Sequence, residues 1–518
     1  MTDQLERTIT REGFTIRDEP TGKVLELPIV VCGELKMPTP ENTISLSYGD
    51  DMEVRIPRLD AADVARIRAA DNRAIAELSI DDVAIFLNDL CKKWIDEDYE
   101  FRQLVTETIR ETAGYVGPSI YYDLGLLSTA LRRIKVYDML ESEIGDPYLL
   151  DEWLPRKTVY LHAEPRGKVT HIMVGNIPMA GLFSIVRSVM TKNMTIAKLP
   201  KRDAVTSLLF ALSFIANAPD HPITKSLTVG YWEPGSTIED EILDMSDVVC
   251  AWGHETSIEP IKQRIRYGTE FVEFGPKRSL TLIGRDTDDL DYAAMKSAYD
   301  VSIYDQVACF SPQETFCEAD TAEYAAALAR WLDINLKRMP KSPVSTDEKA
   351  AIARSRRECA FRGWEVITPE GGGTDWTIVI TDGPTRIASH PLSRTMFIHP
   401  VEKLSEVLPF IDKHTQTVCV HPPERSMELA DELAFRGAAR ITEVGRAGRP
   451  RPGFAHDGMF PLARLVRWVT VERGVKFKYK FWGIPIEEDD RLFYGRGDDS
   501  ENPDPMEVWK VYEEMNLK

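Results

Sequence analysis

Between residues 157 and 266 short apolar runs alternate with helical patterns, and that rhythm leaves few folds open. Val169-Thr-His-Ile-Met-Val174 reads as a strand closed by Gly175-Asn176-Ile177-Pro178. A helix then runs to about Met190, and Met194-Thr-Ile-Ala-Lys198 is the next strand. Asp203 to Ala216 has helical spacing and Ser226 to Tyr231 is strand-like. A helix around Glu239 to Met245, a strand at Asp247 to Trp252 and a helix from Ile258 to Arg266 follow. Strands separated by helices pair parallel through crossovers, so the expected fold is α/β with a doubly wound sheet. Such sheets take ligands beyond the carboxyl ends of their strands, where Gly175-Asn176 and Gly253-His254 both fall.

The flanking stretches have different rhythms. Val24 to Val31, Ile44 to Tyr48 and Met52 to Ile56 are short strand-like runs, and Asp60 to about Glu143 is helical in period. A second α/β region begins near Arg278, with a strand at Leu280 to Ile283 and helices at Leu290 to Ile303, Thr321 to Leu336 and Thr346 to Phe361. Further strands are expected at Glu314 to Glu318, Trp376 to Ile380, Arg394 to His399, Thr417 to Val420 and Ala439 to Val444. The expected domains are a mixed strand and helix region at 1–150, a cofactor-binding domain at 151–275, an α/β catalytic domain at 276–470 and an extension at 471–518. Gly371-Gly-Gly373 lacks the Lys-Ser/Thr ending of a phosphate loop and reads as a turn. The acidic tail from Glu487, punctuated by Pro and Gly, reads as a surface extension.

Composition removes several function classes. A formal charge of -20 over 518 residues opposes nonspecific nucleic-acid binding, which needs a basic surface. No apolar run approaches the roughly 18 to 20 residues of a membrane span. The amino terminus lacks the basic-then-apolar order of a signal peptide. Seven scattered cysteines without Cys-x-x-Cys suit a reducing cytoplasm, and nine histidines without ligand spacing predict no metal.

The chemistry centres on Tyr304-Asp-Gln-Val-Ala-Cys309-Phe-Ser-Pro-Gln313. Cys309 falls in a loop between a helix and a strand. A thiol held there can meet a ligand, although a small buried hydrophobe is the plain alternative. Upstream lie Gly175-Asn176-Ile-Pro178, Ile196-Ala-Lys198-Leu-Pro200 and Val272-Glu273-Phe-Gly275-Pro-Lys277. This order resembles the aldehyde dehydrogenase superfamily, in which an Asn-bearing strand end, a Lys-bearing strand, a Glu-Leu-Gly-Gly-Lys-like turn and a Gln-x-x-Cys loop follow one another. Within it the wording is closer to the LuxC family of acyl-CoA (fatty acid) reductases. Val174-Gly-Asn-Ile-Pro178, Asp305-Gln-Val-Ala-Cys-Phe-Ser-Pro-Gln313 and His456-Asp-Gly458 before Leu465-Val-Arg-Trp468 carry that resemblance, which spans most of residues 150 to 470.

The resemblance implies an NADPH-dependent reduction of a fatty acyl thioester to an aldehyde, with Cys309 as the acyl-accepting nucleophile. Asn176 and the Cys309 N–H are then oxyanion donors, though Asn176 can also be a turn former. Glu273 matches the base of hydrolytic relatives and here serves proton transfer, stands aside or is structural. Lys198 is the expected ribose contact. Lys201 and Arg202 stand where a carboxylate would reject a 2'-phosphate, or they are a solvated pair. Gly253 and His254 are cofactor-side candidates, with a hydrogen-bonded turn histidine as the alternative. One position departs from the superfamily: no glutamate falls near Ser389-His-Pro-Leu-Ser393, where the ribose-holding turn is expected. The implied partners are an acyl-CoA or acyl-protein donor, an acyl-protein synthetase subunit as in luminous bacteria, and further copies of the chain. The rival readings are an oxidative aldehyde dehydrogenase and a non-catalytic scaffold.

Overall fold

The computed structural model describes residues 23–49, 52–115, 117–156, 159–472, 479–481 and 484–486. The expected alternation builds a seven-stranded sheet in the order Glu270–Phe274, Val248–Trp252, Lys168–Ile172, Met194–Lys198, Leu227–Gly230, Ile29–Val31, Glu34–Lys36. The first five strands pair parallel. Every residue of Met194–Lys198 and Leu227–Gly230 is buried, as strands covered by helices on both faces require. The last two strands pair antiparallel and come from the stretch expected as a separate region at 1–150. They cover the edge that Leu227–Gly230 would otherwise leave unpaired.

Chain order reverses beside Lys168–Ile172: the next two strands add on one side, and Val248–Trp252 and Glu270–Phe274 on the other. The reversal opens a crevice beyond the carboxyl ends of Lys168–Ile172 and Val248–Trp252. Gly175 lies at the first of these ends. A Cβ there would stand 1.5 Å from the Arg202 carbonyl oxygen, so only glycine lets the two loops pass.

The second sheet runs Glu365–Ile367, Thr377–Ile380, Thr395–Pro400, Pro312–Cys317, Arg278–Ile283, Thr415–His421, Arg440–Glu443, all parallel except the first pair. Every residue of Thr415–His421 is buried. Helices Leu290–Ser302 and Thr321–Arg338 pack together over one face, burying Ala294, Ala298, Val301, Tyr324 and Leu328 with Ile378 and Ile398 of the strands. The helices Ile80–Ile95, Glu100–Thr112, Gly117–Ala130 and Arg133–Ile144 follow Glu34–Lys36 and precede the parallel strands of both sheets. Ser79 and Asp82 cap each other's backbone and start the first of them, whose face of Val83, Leu87, Leu90 and Trp94 is buried at three- and four-residue spacing.

The helix expected over Ile258–Arg266 is instead Glu255–Lys262, because His254 caps the Thr256 N–H and starts it early. The strand expected over Val169–Val174 is Lys168–Ile172 and so ends two residues early. Of the described residues, 153–156, 159–162, 469–472, 479–481 and 484–486 belong to a second unit. Within it Leu154 pairs with Leu161 and Trp153 stacks on His162, and Tyr479–Phe481 pairs with Ile484–Ile486. The amino terminus and the acidic tail from Glu487 lie outside the described residues. Among those residues no helix is long and apolar enough to cross a membrane, and no three His, Cys, Asp or Glu gather as metal ligands.

Candidate active site

The helix Leu290–Ser302 ends one turn before Asp305 and Gln306, which take left-handed φ angles of 49° and 65°. That backbone is unfavourable for residues other than glycine and persists only when neighbours fix it. Arg394 Nε donates to Asp305 Oδ1, and Asp305 Oδ2 accepts the Ser342 N–H at 2.9 Å. Gln306 is 1 % exposed. Its Nε2 donates to the carbonyls of Pro312 at 2.8 Å and Thr395 at 2.7 Å, and its Oε1 accepts the Thr395 N–H at 2.7 Å. The loop is thus tied to the strands on both sides, and Ser279 Oγ holds the Cys309 carbonyl at 2.8 Å. Cys309 stands in a turn directly before Pro312–Cys317, off any helix face.

Gln416 Nε2 lies 3.0 Å from Cys309 Sγ and 2.8 Å from Asp457 Oδ1. A bulge aims it there. Arg278 pairs with Thr415 and Ser279 with Thr417, so Gln416 is the extra residue of its strand. The backbone N–H groups of Cys309 and Phe310 also reach the sulfur. Burial, and after it the Asp457 carboxylate, push the thiol up to about 12 against these donors.

Cys309 and Gln416 open on a cavity of about 300 Å³. Leu126, Met139, Ile177, Met179, Phe183, Trp252, Phe310 and Phe454 give it mainly apolar walls. Trp252 stacks on Phe274 with ring centres 3.9 Å apart, and His456 meets both edge-on. Arg187 donates to His456 Nδ1 at 3.1 Å. Burial first and the Arg187 charge second hold His456 well below the usual histidine range, so its ring is neutral with the proton on Nε2. The helices Gly117–Ala130 and Arg133–Ile144 close the cavity on one side, and Tyr304 beside it donates to the buried Asp123.

The other sequence candidates divide. Asn176 Nδ2 donates to the Val307 carbonyl at 3.3 Å, two residues before Cys309, while Tyr115 donates to the Asn176 carbonyl. Asn176 is therefore tied to the thiol loop as well as forming its turn. Glu273 corrects the expectation that placed it with Cys309. Val272 and Phe274 are buried, so strand alternation turns Glu273 outward, where it is exposed and pairs with Lys262 at 3.4 Å. It does not line the cavity. Lys198, at the carboxyl end of its strand, forms a buried pair with Glu239 at 2.6 Å, and Glu239 also accepts from Arg264 and the Gly235 N–H. Lys201 is exposed and 3.6 Å from Glu233; Arg202 donates to the Ala113 carbonyl at 2.5 Å. Gly253 has a φ of 149°, and the exposed His254 is the cap of Glu255–Lys262.

Sequence reasoning missed Gln416, Arg187 and Glu239. Glu239 reads as an ordinary acid in a helix's first turn, and Arg187 as an ordinary base in a last turn. Asp457 and His456 stood in a quoted motif without a role.

The model of the acyl-CoA reductase (LuxC) family matches residues 75–468. The long-chain acyl-protein thioester reductase of Vibrio harveyi is 33% identical over 468 residues, covering 89% of this chain and 96% of the relative. That of Aliivibrio fischeri is 34% identical over 452 residues, 86% of this chain and 92% of the relative. Among solved structures, the NADP-dependent glyceraldehyde-3-phosphate dehydrogenase of Bacillus halodurans C-125, complexed with NADP, aligns with a TM-score of 0.66 at 14% identity. That alignment covers 86% of this chain and 99% of the other. The aldehyde dehydrogenase of Mycobacterium tuberculosis gives 0.66 at 13% identity, covering 87% and 99%. The fold is that of the aldehyde dehydrogenases, as the resemblance implied.

Proposed function

The chain belongs to the acyl-CoA reductase (LuxC) family, and from that premise we propose that it reduces a long-chain acyl thioester to the aldehyde with NADPH, the acyl group passing through Cys309. The observation that carries this is a thiol, fixed by its loop, opening on an apolar cavity. A fatty chain buried there contributes roughly 0.8 kcal/mol per CH2 and presents its carbonyl to Sγ. The donor is an acyl-CoA or an acyl-protein; the relatives' names point to the second. A synthetase subunit that supplies the acyl group, and further copies of this chain, are the proposed partners in a cytoplasmic setting.

Acyl transfer to Cys309 separates release of the donor thiol from reduction. The second N–H of the Asn176 amide and the N–H of Cys309 are the donors proposed for the tetrahedral oxyanion. The apolar walls exclude water from the resulting thioester. Glu273, outside the cavity, has no part in this step.

The strand ends at 151–275 fit a nicotinamide dinucleotide. The buried indole N–H of Trp232 has no acceptor among the described residues, and Lys198 Nζ lies 5.6 Å from that ring. Lys198, Gly253 and the loop at Gly175 would hold the cofactor, with Lys201 and Arg202 at the 2'-phosphate and His254 at the rim. When bound, the cofactor supplies the hydride. Residues 276–470 carry the nucleophile.

Incubation with a fatty acyl-CoA, or with an acylated donor protein, is expected to add one acyl group to Cys309 by intact-protein mass spectrometry, with no nicotinamide present. Cys309→Ser should remain unlabelled as a thioester. An adduct on Cys317 or Cys250 with Cys309 free would remove Cys309 from the role.

A further inference from the structure

Gln416 has a placement that packing alone does not call for. It is the bulged residue of Thr415–His421, 6 % exposed, and its amide nitrogen alone serves two acceptors, Cys309 Sγ and Asp457 Oδ1. An ionised carboxylate only accepts hydrogen bonds. Asp457 at 2.8 Å, with Thr417 Oγ1 donating to Gln416 Oε1 at the longer 3.4 Å, therefore fixes which end of the amide faces the site: the NH2 turns toward the carboxylate, and the same NH2 then meets the sulfur. Without that acceptor, rotation of the amide by half a turn would offer the sulfur an oxygen instead. Asp457 itself is held in a left-handed backbone with a φ of 51°, between His456 and Gly458.

We propose that Gln416 is a catalytic residue of acyl transfer, the side-chain donor that stabilises the thiolate formed at Cys309 as it attacks, and that Asp457 is the positioning residue that turns its amide. The inference rests on Cys309 as the acyl acceptor. In the step, the Cys309 S–H bond breaks, Sγ bonds to the acyl carbon, the donor's C–S bond breaks, and the proton ends on the donor's sulfur. Charge on Sγ is greatest as attack begins, and a donor at 3.0 Å stabilises that anion more than the neutral thiol. The carboxylate opposes the same anion, so the amide between them also keeps the two from direct contact. The other ionisable groups around the pair are Arg187 and Lys277, which act on Asp457, and the neutral His456.

The test compares wild type with Gln416→Met, which has similar length and no donor. A second variant, Gln416→Asn, keeps an amide for Asp457 but is one carbon too short to reach the sulfur as well. Two readouts are taken on each: acylation of Cys309 by intact mass, and its alkylation by iodoacetamide from pH 6 to 10, with melting temperature as the folding control. Both rates at neutral pH should fall about tenfold to a hundredfold, the worth of one hydrogen bond to a charged group. The alkylation profile should move to higher pH, which a merely structural role would not produce. A wild-type profile and acylation rate in either folded variant would overturn the role of Gln416. Failure of wild-type Cys309 to be acylated at all would instead remove the nucleophile on which the inference stands.

Discussion

Gln306 sets the position of a thiol three residues away, and its removal can be given a magnitude. Gln306→Leu keeps the volume and leaves the carbonyls of Pro312 and Thr395 without the Gln306 donor in a buried site, while the Thr395 N–H keeps the Leu392 carbonyl at 3.1 Å. Each such orphan costs about 1–3 kcal/mol, carbonyls at the lower end, so the two should cost the variant about 2–3 kcal/mol. The left-handed backbone at Asp305 and Gln306 would also relax, carrying Cys309 away from Gln416. Urea unfolding followed by tryptophan fluorescence measures the first effect, and Cys309 acylation by intact mass the second. Gln306→Glu adds a sign. Its carboxylate would face two carbonyls, so burial and those acceptors raise its folded pKa, and the variant is most stable at low pH and weakens as pH rises. A Leu variant within about 0.5 kcal/mol of wild type, acylated at the wild-type rate, would refute the clamp.

Three further outcomes follow from the site. Asn176→Ala should lower Cys309 acylation by about two to three powers of ten with a near-native melting temperature; an unchanged rate in a folded variant would leave Asn176 as a turn residue. Lys201→Glu should weaken NADPH more than NADH by about 1–3 kcal/mol, read by fluorescence titration of each cofactor; equal losses would place the side chain away from the 2'-phosphate. Burial pushes Asp123 up to about 7, opposed by the Tyr304 hydroxyl. A carboxyl raised on folding stabilises the protein below its unfolded value near 3.9 and loses that contribution as pH climbs toward 7. Asp123→Asn, which still accepts from Tyr304, should therefore gain in melting temperature relative to wild type between pH 5 and 8; parallel curves would mean that Asp123 is ionised throughout.

The strand and helix alternation was legible because burial on both faces of a parallel sheet calls for short apolar runs, such as Val248-Val-Cys-Ala-Trp252 and Val418-Cys-Val420. The loop position of Cys309 was legible for a related reason: helical period stops before it and Ser311-Pro312 restarts a strand. What sequence did not disclose depends on a single residue of register or on partners far along the chain. Gln416 reaches the sulfur only because a bulge skips it in the ladder, and nothing local marks that skip. Glu273 turns outward because its two neighbours are buried, a matter of strand parity that motif spacing does not fix. Arg187 and His456 meet across 269 residues.

The cavity also joins parts of the chain with separate jobs. The thiol, its amide and its loop come from residues 304 to 457, whereas one wall is built by Leu126, Thr129, Ala130, Lys135, Met139 and Glu143 of two earlier helices. Substitutions in that wall would reshape the space proposed for the acyl tail without replacing Cys309, Gln416 or Asp457. On the proposed function, tail length and bond chemistry are then set by different stretches of the chain, so substitution can alter one while leaving the other in place.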